Sequence, residues 1–341
     1  MLRGTWPPFQ ALPAYYGGKR RLCNLIFGLL ATRIPPPDWP GRTFLDPFLG
    51  AGSVSLFAKA RGFHVIANDL ALRSAATGRA LIGNSAATLQ PADVAALLRA
   101  PVGPYPRIAE AHYTPSVFGL AHAQLADRVL FNLNQQPEPD RSLATLLLVK
   151  WLLRVQPMSG LRGTDARAAF EGDLDRVSPR RLAHYLDSVR LLEPEAWFSL
   201  AREVNRGVFP GGGQAHQMDA LEFLAGAQGD VVYLDPPYPG TTSYEREYAV
   251  LDHLLEGEEH ATSQFSRSAD LLPALFEACR HVPVLVISLN NAVLELHELE
   301  DMVRPHRPLV RSVEIPYRHL QSIASRRKNE TNKEFIVIAS A

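Results

Sequence analysis

The chain has 341 residues, with 35 basic and 35 acidic side chains and a formal net charge of zero. At 46% apolar and 21% charged, it has the composition of a protein with a buried core, which excludes wholesale disorder. Neutrality excludes a protein that coats nucleic acid through bulk charge, though not one with a local basic groove. Two distant cysteines, Cys23 and Cys279, exclude a disulfide scaffold and leave no ligand spacing for a structural zinc site, so no metal is expected. Met1 to Gln10 lacks a signal-peptide core. Leu143–Val155 is interrupted by Lys150 and Arg154 and is too short to span a bilayer, so a cytoplasmic protein without a membrane partner is expected.

In chain order, Arg21–Arg33 carries apolar residues at helical spacing and ends at Pro35-Pro36-Pro37. A strand-like run, Thr43-Phe44-Leu45-Asp46, enters a glycine-rich turn. A helix over Val54–Arg61 and a second strand, His64–Ala67, follow and end at Asn68-Asp69. This β-turn-α-β unit is the opening of a nucleotide-binding α/β sheet. From about Ala80 to Val208 the pattern is helical, with Pro91, Thr114-Pro115 and Ser178-Pro179 as helix starts. Leu143–Val155 reads as a helix buried on all sides. Strand character returns at Asp230–Leu234, Val284–Ser288 and Glu334–Ala339, with a helix around Ala269–Arg280. The expected division is therefore a catalytic domain of residues 1–80 and 209–341, split by a helical insertion of residues 81–208.

Two segments carry chemistry. In Asp46-Pro47-Phe48-Leu49-Gly50-Ala51-Gly52-Ser53, glycines let the backbone approach a ligand, and Asp69 can accept both hydroxyls of a ribose. Ser55 stands where a pyrophosphate-binding turn has its third glycine, so a nucleoside cofactor without phosphates is favoured. The second segment is an apolar strand running into Asp235-Pro236-Pro237-Tyr238. Two prolines stiffen the corner and remove two N–H groups, leaving acceptors. The Asp235 carboxylate and the Pro236 carbonyl can take both protons of an exocyclic base amine, while Tyr238 stacks on a base flipped from the helix. A sulfonium methyl donor is already activated, so positioning supplies most of the acceleration. Neither cysteine lies in a strand-end loop suited to the thiol nucleophile that carbon-5 methylation of cytosine needs.

With these residues together, the chain resembles the Dam-type (D12 class) N6-adenine-specific DNA methyltransferases nearly end to end. Tyr15-Tyr16-Gly17-Gly18-Lys19 is similar to the family's N-terminal signature; the resemblance implies that Tyr16, Gly17 and Lys19 help hold the methionine part of S-adenosylmethionine. Asp46, Pro47, Phe48, Gly50, Gly52 and Ser53 match its cofactor loop, Asn68-Asp69 its ribose acid, and Asp219 an acid near the cofactor adenine. Asp235 to Tyr238 match the catalytic motif, Ile287-Ser288-Leu289-Asn290 the strand behind it, and Arg326-Arg327-Lys328 with Glu334-Phe335-Ile336 the closing loop and strand. The implied fold is α/β, a Rossmann-like S-adenosylmethionine-dependent methyltransferase sheet with a mostly helical inserted target-recognition domain. Ala14 stands where members that read GATC carry lysine, so the resemblance does not extend to that target.

Residues 304–333 hold eight Lys or Arg against two Glu, and Arg162, Arg318, Arg326, Arg327 and Lys328 are the expected contacts to double-stranded DNA. Tyr244 to Glu259 holds six acids and is expected to face solvent or form a flap, with Tyr244 and Tyr248 at a pocket entrance or in the core. A cognate restriction endonuclease is a candidate partner. N4-cytosine or RNA-base methylation, and a non-catalytic DNA-binding module, remain open from the residues alone; Asp at 235 favours adenine.

Overall fold

The structure, a computed structural model, describes residues 6–15, 17–156, 164–238, 244–257, 264–265, 269–292, 294–316 and 332–340. It divides into two compact units: one of Met1–Ala14, Ala86–Phe209 and Val250–Glu259, the other of Tyr15–Ser85, Pro210–Ala249 and His260–Ala341.

The second unit is built on a seven-stranded sheet: β1 (Thr43–Asp46), β2 (His64–Asn68), β3 (Gly213–His216), β4 (Val231–Leu234), β5 (Val284–Asn290), β6 (Leu309–Pro316) and β7 (Lys333–Ser340), in the order β3-β2-β1-β4-β5-β7-β6. β3, β2, β1, β4 and β5 pair in parallel, and β7 runs antiparallel to both β5 and β6. A dinucleotide-binding sheet has the order 3-2-1-4-5-6; here an antiparallel strand is wedged between the fifth and sixth. β4, β5 and β7 are buried along almost their whole length, as their continuous apolar runs require when both faces are covered.

β3 and β6 did not stand out in the sequence. Gly211-Gly212-Gly213 reads as a turn, yet the run admits an edge strand because it has no side chains. A Cβ on Gly212 would lie 2.6 Å from His64 Nδ1, and one on Gly213 would lie 2.8 Å from the Val65 carbonyl oxygen. β6 mixes half-buried and exposed residues, none fully buried, within a stretch read as basic surface, as an edge strand does.

The first unit is mostly helical among its described residues. Helix Asp140–Val155 is buried on nearly every side, as its apolar sequence implies, and its Trp151 stacks on Trp197 at 5.0 Å. Lys150 sits inside it, donating to the carbonyls of Gln10 at 2.7 Å and Leu12 at 3.2 Å and pairing with Glu203 at 3.3 Å. Pro91 and Pro179 open helices as expected. Thr114-Pro115 does not. It follows helix Ile108–Tyr113, with Thr114 extended as a residue before proline prefers, and the next helix starts at Leu120. The acidic segment after the Asp235-Pro236-Pro237-Tyr238 corner is also more ordered than expected: Tyr244–Glu256 is a helix in which Tyr248, Leu251, Asp252 and Leu254 are buried. Spacings of three and four residues put these side chains on one face. No described helix is long and apolar enough to cross a membrane.

Gly213→Ala should lower stability by roughly 1–3 kcal/mol, because the added methyl meets backbone that cannot rotate away; thermal melting checks this, and an unchanged midpoint contradicts the close packing of β3.

Candidate active site

In open α/β sheets, ligands bind beyond the carboxyl ends of the strands, where the strand order reverses. Here the reversal lies between β1 and β4, whose residues Phe44 and Leu45 pair with Val231 and Val232. Asp46 ends β1, Asp69 follows the end of β2, and Asp235 follows the end of β4. Three of the four acids the sequence singled out thus share one edge of the sheet.

The turn after β1 is held in place from several sides. Gly50 and Gly52 have φ of +54° and +80°, values that favour glycine. A Cβ on Gly50 would also press on the Tyr15 ring at 3.0 Å. Asp69 accepts from the backbone N–H of Gly50 at 2.8 Å with one oxygen and from that of Ala71 at 3.0 Å with the other. Gly52 is the left-handed residue from which helix Ser53–Ala60 departs, and the Ser53 carbonyl accepts from the Cys23 thiol at 3.5 Å. In place of a third glycine, the Ser55 hydroxyl donates to Asp46 at 2.6 Å. Phe48 is half-buried, edge-on to Phe265 at 5.3 Å. Asn68, fully buried, ties the turn to β3: its amide donates to the carbonyls of Pro47 and Met218 and its oxygen accepts from Met218 N–H. Next to Met218, Asp219 is exposed and caps helix Ala220–Gly226 through Leu221 N–H at 2.8 Å.

Lys19 is the cation of the site, 2% exposed. Its ammonium lies 2.9 Å from Asp235 Oδ1, 3.4 Å from Glu334 Oε1 and 2.9 Å from the carbonyl of Gly17, whose φ is +72°. It also stands 4.8 Å from the centroid of the Tyr238 ring. The Tyr238 hydroxyl lies 3.1 Å from Asp235 Oδ1 and 2.6 Å from Glu334 Oε1, which also accepts from Ser288 on β5 at 2.6 Å. The ring expected to stack on a base is therefore 3% exposed, with its polar end turned into the network. Pro236 is buried and Pro237 half-buried. Asp235 Oδ2 has no bonded partner among the described residues.

Acids outnumber the lysine, and the carboxyls respond. Burial pushes Asp46 up to about 7, with the charges of Asp235 and Asp69 adding to it and the hydrogen bonds from Ser55 and Phe48 opposing. Burial also raises Asp235, to about 6; Lys19 pulls it down and Glu334 pushes it up. A buried acidic edge of this kind suits a ligand bearing positive charge. The sulfonium and ammonium of S-adenosylmethionine meet that requirement, and a carboxylate such as that of Asp69 at the turn is a group able to accept hydrogen bonds from a ribose. The thiols do not compete as nucleophiles: burial raises Cys23 to about 12 and Cys279 to about 11.

Several expected residues, Tyr16, Arg162, Arg318, Arg326, Arg327 and Lys328, lie outside the described residues. Conversely, Glu334, Ser288, Ser55 and Asn68 take part in the site without having been singled out for it. One signal was present for Glu334: a lone acid heading the apolar run Phe335–Ala339 has no reason to be there for packing.

Asp69→Ala removes the acceptor for two backbone N–H groups of the turn; affinity for S-adenosylmethionine, read by calorimetry, should fall on the order of ten- to a hundredfold. Unchanged affinity would separate Asp69 from the cofactor.

Residues 15–101 match the family model of the D12 class N6 adenine-specific DNA methyltransferases. The chain is 26% identical over 342 residues to the Type II methyltransferase M2.HphI of Haemophilus parahaemolyticus, covering 95% of this chain and 96% of that protein. Two solved structures match at 10% identity and 94% of this chain: an S-adenosylmethionine-dependent methyltransferase from Agrobacterium tumefaciens (TM-score 0.38) and SMU.776 complexed with SAH (TM-score 0.35). The chain spans only 61% and 49% of their lengths, so the fold rests on the strand order itself. The turn that follows β1 falls inside the matched segment and the relative extends over the Asp235 corner as well; together they support an enzyme that methylates adenine N6 in DNA with S-adenosylmethionine as methyl donor.

Proposed function

We propose that this adenine-N6 methyltransferase works on a base flipped out of duplex DNA, with Asp235 as the residue that receives the amine. The observation that carries this reading is the asymmetry of the Asp235 carboxylate. One oxygen is anchored by Lys19 and Tyr238, and the other has no partner among the described residues at the edge of the sheet where β1 and β4 part. S-adenosylmethionine supplies a methyl carbon made electrophilic by its sulfonium, and the carbon–sulfur bond that breaks on transfer leaves a neutral thioether.

The amine of adenine is a weak nucleophile because its lone pair is delocalised into the ring. Asp235 counters this by accepting a hydrogen bond from one amine proton, with the Pro236 carbonyl as the acceptor for the other. As the nitrogen gains its new bond to carbon, Asp235 takes up the proton that leaves. Lys19 holds the carboxylate in position and limits its protonation. Asp46, Asp69 and the Gly50–Gly52 turn keep the cofactor end of the reaction in line, so that the two reacting atoms meet without a search. No covalent enzyme intermediate is needed, and neither thiol is placed to form one.

The helical unit is the proposed target-recognition domain, and the basic tail, with Arg162 of the helical unit, the proposed phosphate contact. The Type II designation of M2.HphI supports pairing with a restriction endonuclease.

Expression in a methylation-free host followed by long-read sequencing should reveal N6-methyladenine in one sequence context. Asp235→Ala should erase that signal while cofactor affinity stays within about a few-fold; persistent methylation in the variant would remove Asp235 from its assigned role. In single-turnover assays the rate should fall as pH drops through about 6, since the ionised carboxylate is the active form.

A further inference from the structure

Glu334 opens β7 and is fully buried. Its Oε1 gathers the hydroxyls of Tyr238 and Ser288, each at 2.6 Å, and the ammonium of Lys19 at 3.4 Å. Its Oε2 is buried with no hydrogen-bond partner among the described residues. A buried carboxylate left half-satisfied destabilises the fold, so a position required only for packing would be apolar like the five residues after it. Asp235 Oδ1 draws on two of the same donors, Lys19 at 2.9 Å and Tyr238 at 3.1 Å. The Tyr238 hydroxyl has a single proton and cannot serve both carboxylates. Its shorter contact is to Glu334.

We propose that Glu334 is a positioning residue for methyl transfer, drawing the Tyr238 proton and part of the Lys19 charge away from Asp235 so that Asp235 stays a strong acceptor for the amine. The inference rests on the assignment of Asp235 given above. Without Glu334, Lys19 and Tyr238 would both bind Asp235 fully, and a carboxylate so well neutralised attracts an amine proton less. The groups acting on Asp235 are Lys19 from the N-terminal segment, Glu334 from β7, Asp46 from β1, and Tyr238 and Tyr233 from its own strand and corner. Of these, Glu334 opposes Lys19 directly.

The test uses the full chain, tritiated S-adenosylmethionine and DNA from a methylation-free host, with single-turnover rates measured across pH. Glu334→Gln keeps the shape and can still accept from Tyr238 and Ser288, but it removes the charge. Its acid limb should move to lower pH by on the order of half to one unit, with a plateau rate lower by about three- to tenfold because the acceptor is weaker. Glu334→Asp, which restores the charge, should return the limb toward that of the unaltered protein. Tyr238→Phe should move it the opposite way, to higher pH, because Glu334 loses the hydroxyl that offsets its charge and then repels the Asp235 carboxylate more strongly.

A purely structural Glu334 would lower the rate at every pH and leave the limb in place, and that result would overturn the proposal. If Glu334→Gln does not fold by thermal melting, Tyr238→Phe decides: a limb that stays put or moves down overturns it equally. Absence of methyl transfer by the unaltered protein would instead strike the function itself. Transfer that depends on Asp235 but shows no shift in the variants would strike this inference alone.

Discussion

Lys19 is held out of water between two carboxylates and a peptide carbonyl, and much of the site follows from that placement. A buried ammonium is tolerable only when paired, and breaking such a pair by removing one partner costs about 3–5 kcal/mol. The pair therefore fastens the N-terminal segment to the corner after β4, and the left-handed Gly17 lets the chain turn its carbonyl onto the same ammonium. It also leaves Asp235 with one oxygen occupied and the other without a partner among the described residues. A carboxylate oriented in advance spares the reaction the reorganisation that a solvated one would need.

The sheet explains how residues so far apart in sequence reach this point. Five parallel strands present their carboxyl ends on one edge, which delivers Asp46, Asp69 and Asp235 there. β7 runs the other way, so its beginning lies on that same edge. Glu334 pairs with Asn290 at the end of β5, and it reaches Tyr238 across 96 residues of chain. A parallel strand in that place would have put its first residue at the opposite edge. The antiparallel insertion that distinguishes this sheet from a dinucleotide-binding one is thus also what brings a second carboxylate to the lysine.

Much of this was legible along the chain. β1, β2, β4, β5 and β7 announce themselves as apolar runs because central strands are buried on both faces. The glycine turn and the Asp235-Pro236-Pro237-Tyr238 corner are local, and local geometry is set by neighbours in sequence. Less legible were β3 and β6, edge strands whose glycines and polar residues resemble turn and surface, and the helix Tyr244–Glu256, whose acids outweighed its buried face. Thr114-Pro115 misled because proline favours a helix start only when the residues after it can continue the helix.

Residue types and their spacing pointed to amino methylation: a phosphate-free cofactor turn, an acid at a proline-stiffened strand end, and no usable thiol. Those features are short-range, written within a few residues of one another. The state of Asp235 was not written there. It depends on a lysine more than two hundred residues before it and a glutamate about a hundred after it, brought together by strand order and direction, and on burial that makes their charges count. Charges act through space and through the dielectric around them, and both belong to the folded chain.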